Sequence, residues 1–326
     1  MIEHPAAADR CERLLQILEP AARLALALAY LVAVTFYLEL LSAFGLRLVD
    51  AGHPLLQKGI ASGLLLLIGG YGCWRGLAGL EFLEKYAVDT KLVVIGGLLA
   101  GLLFMNGSEL RAGTWQLPAM PTDWSTDTVR RLLGAFLIVQ GFETSRYLGG
   151  AYSAAVRIRS MRYAQWTAAA IYIAFVGLAT ILLDSFAAGS ETGIIDLSQR
   201  VAHVLPPLPV LGALMSQFSA AIADTISSGG LIEEASHGRI GRRLVYAAMA
   251  LAALALSWST DIFVIVAWAS RAFALYYGIQ CAIAAIHRQA AGGRGRVAQS
   301  VGFAALALAM LAIALLAIPV ERAAAG

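Results

Sequence analysis

The stretch QGFETSRYLGG, positions 140 to 150, places Gln140, Glu143 and Arg146 among glycines inside an otherwise apolar segment. Ionisable groups at membrane depth are costly and by default point to function. Arg146 follows Glu143 by one helical turn, so it either neutralises the carboxylate or reaches toward the membrane surface. Gly141, Gly149 and Gly150 weaken helical continuity, and Gly149-Gly150 is the natural break. A broken helix persists in lipid only where it lines a cavity, because its freed N–H and C=O groups need partners. Transporters place solute and ion sites at such breaks; a kinked but continuous helix is the alternative.

A second constellation lies in SQFSAAIADTISSGGLIEE, residues 216–234. Asp224, Ser227 and Ser228 fall at i, i+3 and i+4, and Ala221, Asp224 and Thr225 repeat that spacing. Either triplet puts oxygens on one helical face, as a small hard cation requires. Close helix packing explains the small residues Ala220, Ala221, Ala223 and Gly229. It does not explain Asp224, which needs a cation, a proton or a partner. Elsewhere, Glu39 in VTFYLELLSAF is read either as the partner of a basic group on a neighbouring span or as functional. Arg271 reads as a structural partner, and Asp184 as solvated at a span end.

These residues need a membrane scaffold, and the composition supplies one. Of 326 residues 59% are hydrophobic and 14% charged, with a mean hydropathy of +0.73; a soluble domain keeps about a quarter of its residues charged. Apolar runs near 23–45, 56–78, 90–106, 129–150, 163–186, 207–231, 243–258, 261–286 and 297–319 read as nine transmembrane helices. The expected fold is therefore an all-α polytopic membrane protein, a single transmembrane domain over 1–326. No period-two barrel pattern is present. The net charge of +3 is too small to suggest nucleic acid. Three cysteines and five histidines show no ligand spacing, so no cofactor is expected beyond a possible sodium ion.

Arginines cluster after every second span: Arg157, Arg159 and Arg162, then Arg239, Arg242 and Arg243, then Arg288, Arg294 and Arg296. This asymmetry puts those loops in the cytoplasm. It also gives a cytoplasmic N-terminal segment (1–22), external loops at 107–128 and 187–206, and an external C-terminus in the cell membrane. Residues 190–206 read as a short external helix.

The segment VQGFETSRYLGGAYS resembles the sixth helix of the amino acid–polyamine–organocation (APC) superfamily, which carries a Gly-Phe-Glu-like unwound stretch. LALALAYLVAVTFYLELLSAF is similar to that family's third helix, FSAAIADTISSGGL to its eighth and WASRAFALYYGIQCAIAA to its tenth. LEFLEKYAVDTKLVVIGGLLAGLL is similar to the stretch joining its fourth and fifth helices. The resemblance implies a five-plus-five inverted-repeat bundle with broken helices, acting as a secondary transporter of amino acids or similar small organic solutes. It assigns Gln140, Gly141, Phe142 and Glu143 to the substrate-binding segment. Ala221, Asp224 and Thr225, or Ser227 and Ser228 one turn on, fall to sodium or proton coupling. Asp224 departs from the usual hydroxyl and carbonyl ligands, which suits a proton carrier. The family's first two helices have no counterpart, so the resemblance implies a missing half-site, two further spans encoded upstream, and no transport by these residues alone. The competing classes are a non-transporting scaffold or regulatory relative and a membrane-embedded enzyme. Against the enzyme, no span carries a nucleophile–base or His/Glu pair. Oligomeric state has no signature.

The arginine asymmetry makes a direct prediction. In a Cys-free variant, single cysteines in 151–162, 233–243 and 287–296 should resist an impermeant thiol reagent in intact cells, whereas those in 187–206 should label. External labelling of 233–243 would overturn the orientation.

Overall fold

The computed structural model describes residues 5–49, 53–118, 125–135, 141–148, 152–185, 207–260, 262–290 and 293–316. Among them the structure is all-helical: α1 Pro5–Leu48, α2 Pro54–Ala112, α3 Thr126–Ala135, a 3-10 helix Phe142–Leu148, and α4 Ala154–Ala179 continuing as the 3-10 turn Thr180–Ser185. α5 Pro207–Ala235, α6 Arg242–Ser259, α7 Ile262–Ala290 and α8 Arg294–Leu316 follow. The expected short helix at 190–206 lies outside the described residues.

Among the described residues six helices are long and apolar enough to cross a membrane, fewer than the nine spans expected. The difference has three sources. First, the expected spans 56–78 and 90–106 lie within the single element α2, whose 59 residues would stretch about 90 Å if straight, far beyond a hydrocarbon core of about 30 Å. α2 is in fact two limbs. Lys58 meets Thr260, Ser62 meets Trp258 and Cys73 meets Arg243, so the first limb runs antiparallel to α6. Beyond Gly76, Lys91 meets Ser219 and Val94 packs on Gly212, antiparallel to α5. α5 and α6 are themselves antiparallel, with Gly229 against Tyr246 and Glu233 paired with Arg242. The two limbs therefore run in opposite directions. The turning point is Gly76, at φ 66° and ψ −156°, a conformation that a Cβ resists. Residues 79–89, between the two expected spans, are helical.

Second, span 129–150 is not one helix. α3 ends at Ala135, and the chain resumes at Gly141 with φ +104° before the 3-10 turns of Phe142–Leu148. The expected hinge Gly149-Gly150 lies outside the described residues. Third, span 243–258 forms the 18-residue α6, which opens on Arg242 and Arg243 and is not among those six.

Caps define several ends. Pro54 opens α2 where a missing N–H is harmless. Gly113, left-handed at φ 72°, closes it by donating to the Glu109 and Leu110 carbonyls. Ser153 caps α4 by accepting from the Val156 N–H at 3.4 Å.

α1 and α5 form the interior, with 56% and 50% of their most apolar stretch buried; the figure is 6% for α4 and 11% for α2 and α8. Leu26, Tyr30, Leu38, Ile222, Leu231 and Phe273 are among the buried side chains of the central cluster. The exposed Trp166, Ile173, Val176, Leu308 and Leu315 on the outer helices suit contact with acyl chains. The ends also sort. Asn106 donates to the Leu178 carbonyl and Arg130 to the Leu316 carbonyl, while at the opposite end Arg243 lies on Gly76 and Arg157 faces residues 78–89. Two of the arginine-rich turns thus share the end where α2 reverses.

Tyr246 fills a slot made by absent side chains. A Cβ built on Gly229 would lie 2.5 Å from its ring, and one on Gly72 would lie 2.9 Å away. Gly229→Ala should therefore destabilise the protein by about 1–3 kcal/mol, read as a lower melting temperature in detergent. Gly63→Ala, which meets nothing within 4 Å, should be neutral or stabilising. Equal stability of Gly229→Ala and the parent would contradict the packing.

Candidate functional site

The 3-10 turns at Phe142–Leu148 carry Glu143 inward, where its side chain is buried. The Tyr277 hydroxyl of α7 donates to Glu143 Oε2 at 2.5 Å and accepts from the Gly141 N–H at 3.3 Å. One tyrosine thereby satisfies both the carboxylate and the backbone N–H that precedes the 3-10 turns. Thr144 closes the turn by donating to the Gly141 carbonyl at 2.7 Å. The Tyr30 hydroxyl of α1 also bears on the Glu143 carboxylate. Tyr30 stands edge-on to Phe273, at 6.1 Å between ring centres, and Phe273 stacks on Tyr277 at 6.2 Å. This aromatic ladder fixes the hydroxyls that face the acid.

Glu143 Oε1 has no hydrogen-bond partner among the described residues. Glu143 is also one of the residues lining a cavity of ≈ 380 Å³, with Ser145, Arg157, Met161, Tyr276 and Gln280. Arg157 donates to the Ser145 carbonyl at 3.1 Å and so ties α4 to the 3-10 segment. The same two residues border a larger cavity of ≈ 640 Å³ that also holds Glu81, Glu84, Lys85 and Asp89 from the second limb of α2.

Asp224 lies on buried α5, and its Oδ2 also lacks a hydrogen-bond partner among the described residues. It is within electrostatic reach of Glu143 and Glu84. The fixed cation nearby is Lys91, which donates to Ser219 on α5 at 3.3 Å and interacts with Glu84. The two regions singled out in the sequence are therefore one electrostatic neighbourhood. The hydroxyl face is less open than the spacing suggests. Thr225 donates to the Ala221 carbonyl at 2.7 Å and Ser228 to the Thr225 carbonyl at 2.8 Å. Both hydroxyl protons are used within an unbroken helix, leaving oxygen lone pairs as the remaining donor sites. Ala221 and Ser227 are buried on the same helix. Among the described residues no group of three His, Cys, Asp or Glu could hold a metal ion.

Gln140, Gly149, Gly150 and the side chains of Phe142, Arg146 and Asp184 lie outside the described residues. Glu39 is buried, and the Ser257 hydroxyl of α6, not a cation, donates to its carboxylate. Arg271 is exposed on α7, with no ion pair among the described residues. Tyr277, Tyr30, Glu84 and Lys91 were not singled out from sequence.

The profile of a family described as APC superfamily transporter matches residues 1–317. The chain belongs to the APC superfamily of transporters. An uncharacterized protein of Aquifex aeolicus (strain VF5) is 41% identical over 278 residues, spanning 85% of this chain and 67% of the relative. The family consists of transporters rather than enzymes, which removes the membrane-enzyme reading.

The Glu143–Tyr277 bond predicts a thermodynamic signature. Tyr277→Phe leaves a buried acid without its donor and should cost about 1–3 kcal/mol of stability. Combining it with Glu143→Leu should restore part of the loss, because both polar partners are then gone. Melting temperatures in detergent check this; a double variant no better than Tyr277→Phe would contradict the pairing.

Proposed function

We propose that this APC superfamily protein is a secondary transporter that binds an amino acid or a similar small organic solute at the broken segment. Gln140, Gly141, Phe142 and Glu143 form its binding stretch. The observation that carries the reading is Glu143: a buried carboxyl in the wall of a cavity, held on one side by Tyr277 and with an oxygen that has no hydrogen-bond partner among the described residues. A solute ammonium is the natural complement of such an oxygen.

Coupling falls to α5. Asp224, flanked by Ala221, Thr225, Ser227 and Ser228, presents an unpartnered carboxyl oxygen beside other acids. A buried acid in that setting requires a bound cation or a proton. Sodium would take the Asp224 oxygen with hydroxyl and carbonyl lone pairs; a proton would take Asp224 alone. The nine-crossing path in the cell membrane fits the antiparallel limbs of α2 and the shared end of the Arg157 and Arg243 turns. Its cytoplasmic N-terminus and external C-terminus rest on the arginine asymmetry.

Radiolabelled amino acids binding to the purified protein, measured by scintillation proximity, test the reading. Affinity should rise with sodium or with acidity, and Asp224→Asn should remove that dependence. Glu143→Gln should weaken binding by at least roughly ten-fold, the scale of a lost charge-assisted hydrogen bond. Full binding by Glu143→Ala would rule out the solute site, and affinity flat in both sodium and pH would rule out coupling at Asp224.

A further inference from the structure

The reversal of α2 gathers a patch that is both basic and apolar. The first limb, from Pro54 to Arg75, is about 33 Å of helix, enough to cross a hydrocarbon core of about 30 Å. Arg75 therefore ends the limb at headgroup level, and Gly76 turns the chain at φ 66°. The missing side chain of Gly76 leaves room for Arg243 of α6, whose Nε would lie 3.7 Å from a Cβ built there. The Cys73 thiol fixes the same residue by donating to the Arg243 carbonyl at 2.9 Å. Two exposed arginines thus meet at one turn.

The protein supplies them with no counter-charge. Among the described residues no ion pair engages Arg75 or Arg243, and Glu233 is taken by the neighbouring Arg242. Glu81, Glu84 and Asp89 line the ≈ 640 Å³ cavity with Lys85 and Arg157, a wall to which neither arginine contributes. Arg75 stacks on Trp74, its guanidinium carbon 4.5 Å from the ring centre. Stacking uses the face of a guanidinium and leaves its in-plane N–H fork for an oxyanion. The surface beside the arginines is apolar: Trp74 is 68% exposed and Leu244 65%. An exposed tryptophan belongs at the boundary between acyl chains and headgroups. Arginines set beside it match an anion carried on acyl chains; free phosphate would gain nothing from the apolar rim.

We propose that the α2 reversal is a binding site for an anionic phospholipid, with Arg75 and Arg243 holding its phosphate and Trp74 and Leu244 against its acyl chains. The site shares no residue with the Glu143 cavity or with the Asp224 face, and it does not depend on the solute reading. Phosphatidylcholine carries the same phosphate and chains but a cation beside them, so the site discriminates by net charge.

Native mass spectrometry of the purified full chain, titrated with phosphatidylglycerol or phosphatidylcholine of the same acyl length, tests this. The parent should retain phosphatidylglycerol preferentially. Arg75→Gln and Arg243→Gln should each lower the preference roughly five-fold. Arg75→Lys should keep more of it than Arg75→Gln, which a purely structural stacking role would not produce. Arg111→Gln, which removes an exposed charge from the opposite end of α2, should leave the preference unchanged, and excess inorganic phosphate should not displace the lipid. If Arg243→Gln is not recovered folded, the three Arg75 forms decide. Equal retention of the two lipids by the parent, an undiminished preference in either glutamine variant, or Arg75→Lys no better than Arg75→Gln would each overturn the proposal. So would an equal loss in Arg111→Gln, or displacement by phosphate.

Discussion

A carboxyl group withdrawn from water must be met by a donor, a cation or a proton, and two of them stand at the centre of this bundle. Glu143 and Asp224 occur on different elements, one on a 3-10 turn and one on the most buried stretch of α5. The arrangement around them follows from that demand. Tyr277 supplies a donor to Glu143 and an acceptor to the Gly141 amide, so acid and helix break stabilise one another. Tyr30 and Phe273 hold Tyr277 in place through ring contacts. Among the described residues, one oxygen on each acid has no hydrogen-bond partner. A fully satisfied network would be a structural core and nothing more.

The acids can be this deep because the helices around them approach closely. Gly229, Gly72 and Gly69 give Tyr246 and Ala250 room to press α6 onto α5 and α2. In lipid there is little hydrophobic drive between helices, so such small-residue contacts carry the association. The reversal of α2 at Gly76 then brings its second limb back along α5 and places Glu84 and Lys91 beside the acids. Packing and electrostatics here share one set of residues.

Much of this was legible in the sequence, for physical reasons that differ by element. Long apolar runs can only be membrane helices, and that reading stands. Glu143 and Asp224 announce themselves because charge is rare at such depth. Spans 56–78 and 90–106 stand apart in the sequence because Glu81, Glu84, Lys85 and Asp89 interrupt the apolar run; in the structure the helix continues through those charges and turns at Gly76, which has a positive φ. Tyr277 and Tyr30 were hidden because a tyrosine in a span has the ring of a core residue, and only the fold shows where the hydroxyl goes. Thr225 and Ser228 have only oxygen lone pairs left for a cation, because their hydroxyl protons bond carbonyls of their own helix. Hydroxyls in a helix can bond the preceding turn, and spacing alone does not reveal that they do.

The central claim is that the cavity at Glu143 is where solute binds. Gln280 lines that cavity, so a Gln280→Cys probe in a Cys-free background reports directly on its occupancy. Its rate of modification by a small thiol reagent should fall several-fold when a mixture of the twenty amino acids is added. The protection should vanish when Glu143→Gln is introduced in the same protein. Modification at the same rate with and without the mixture, under both sodium-rich and acidic conditions, would contradict the account.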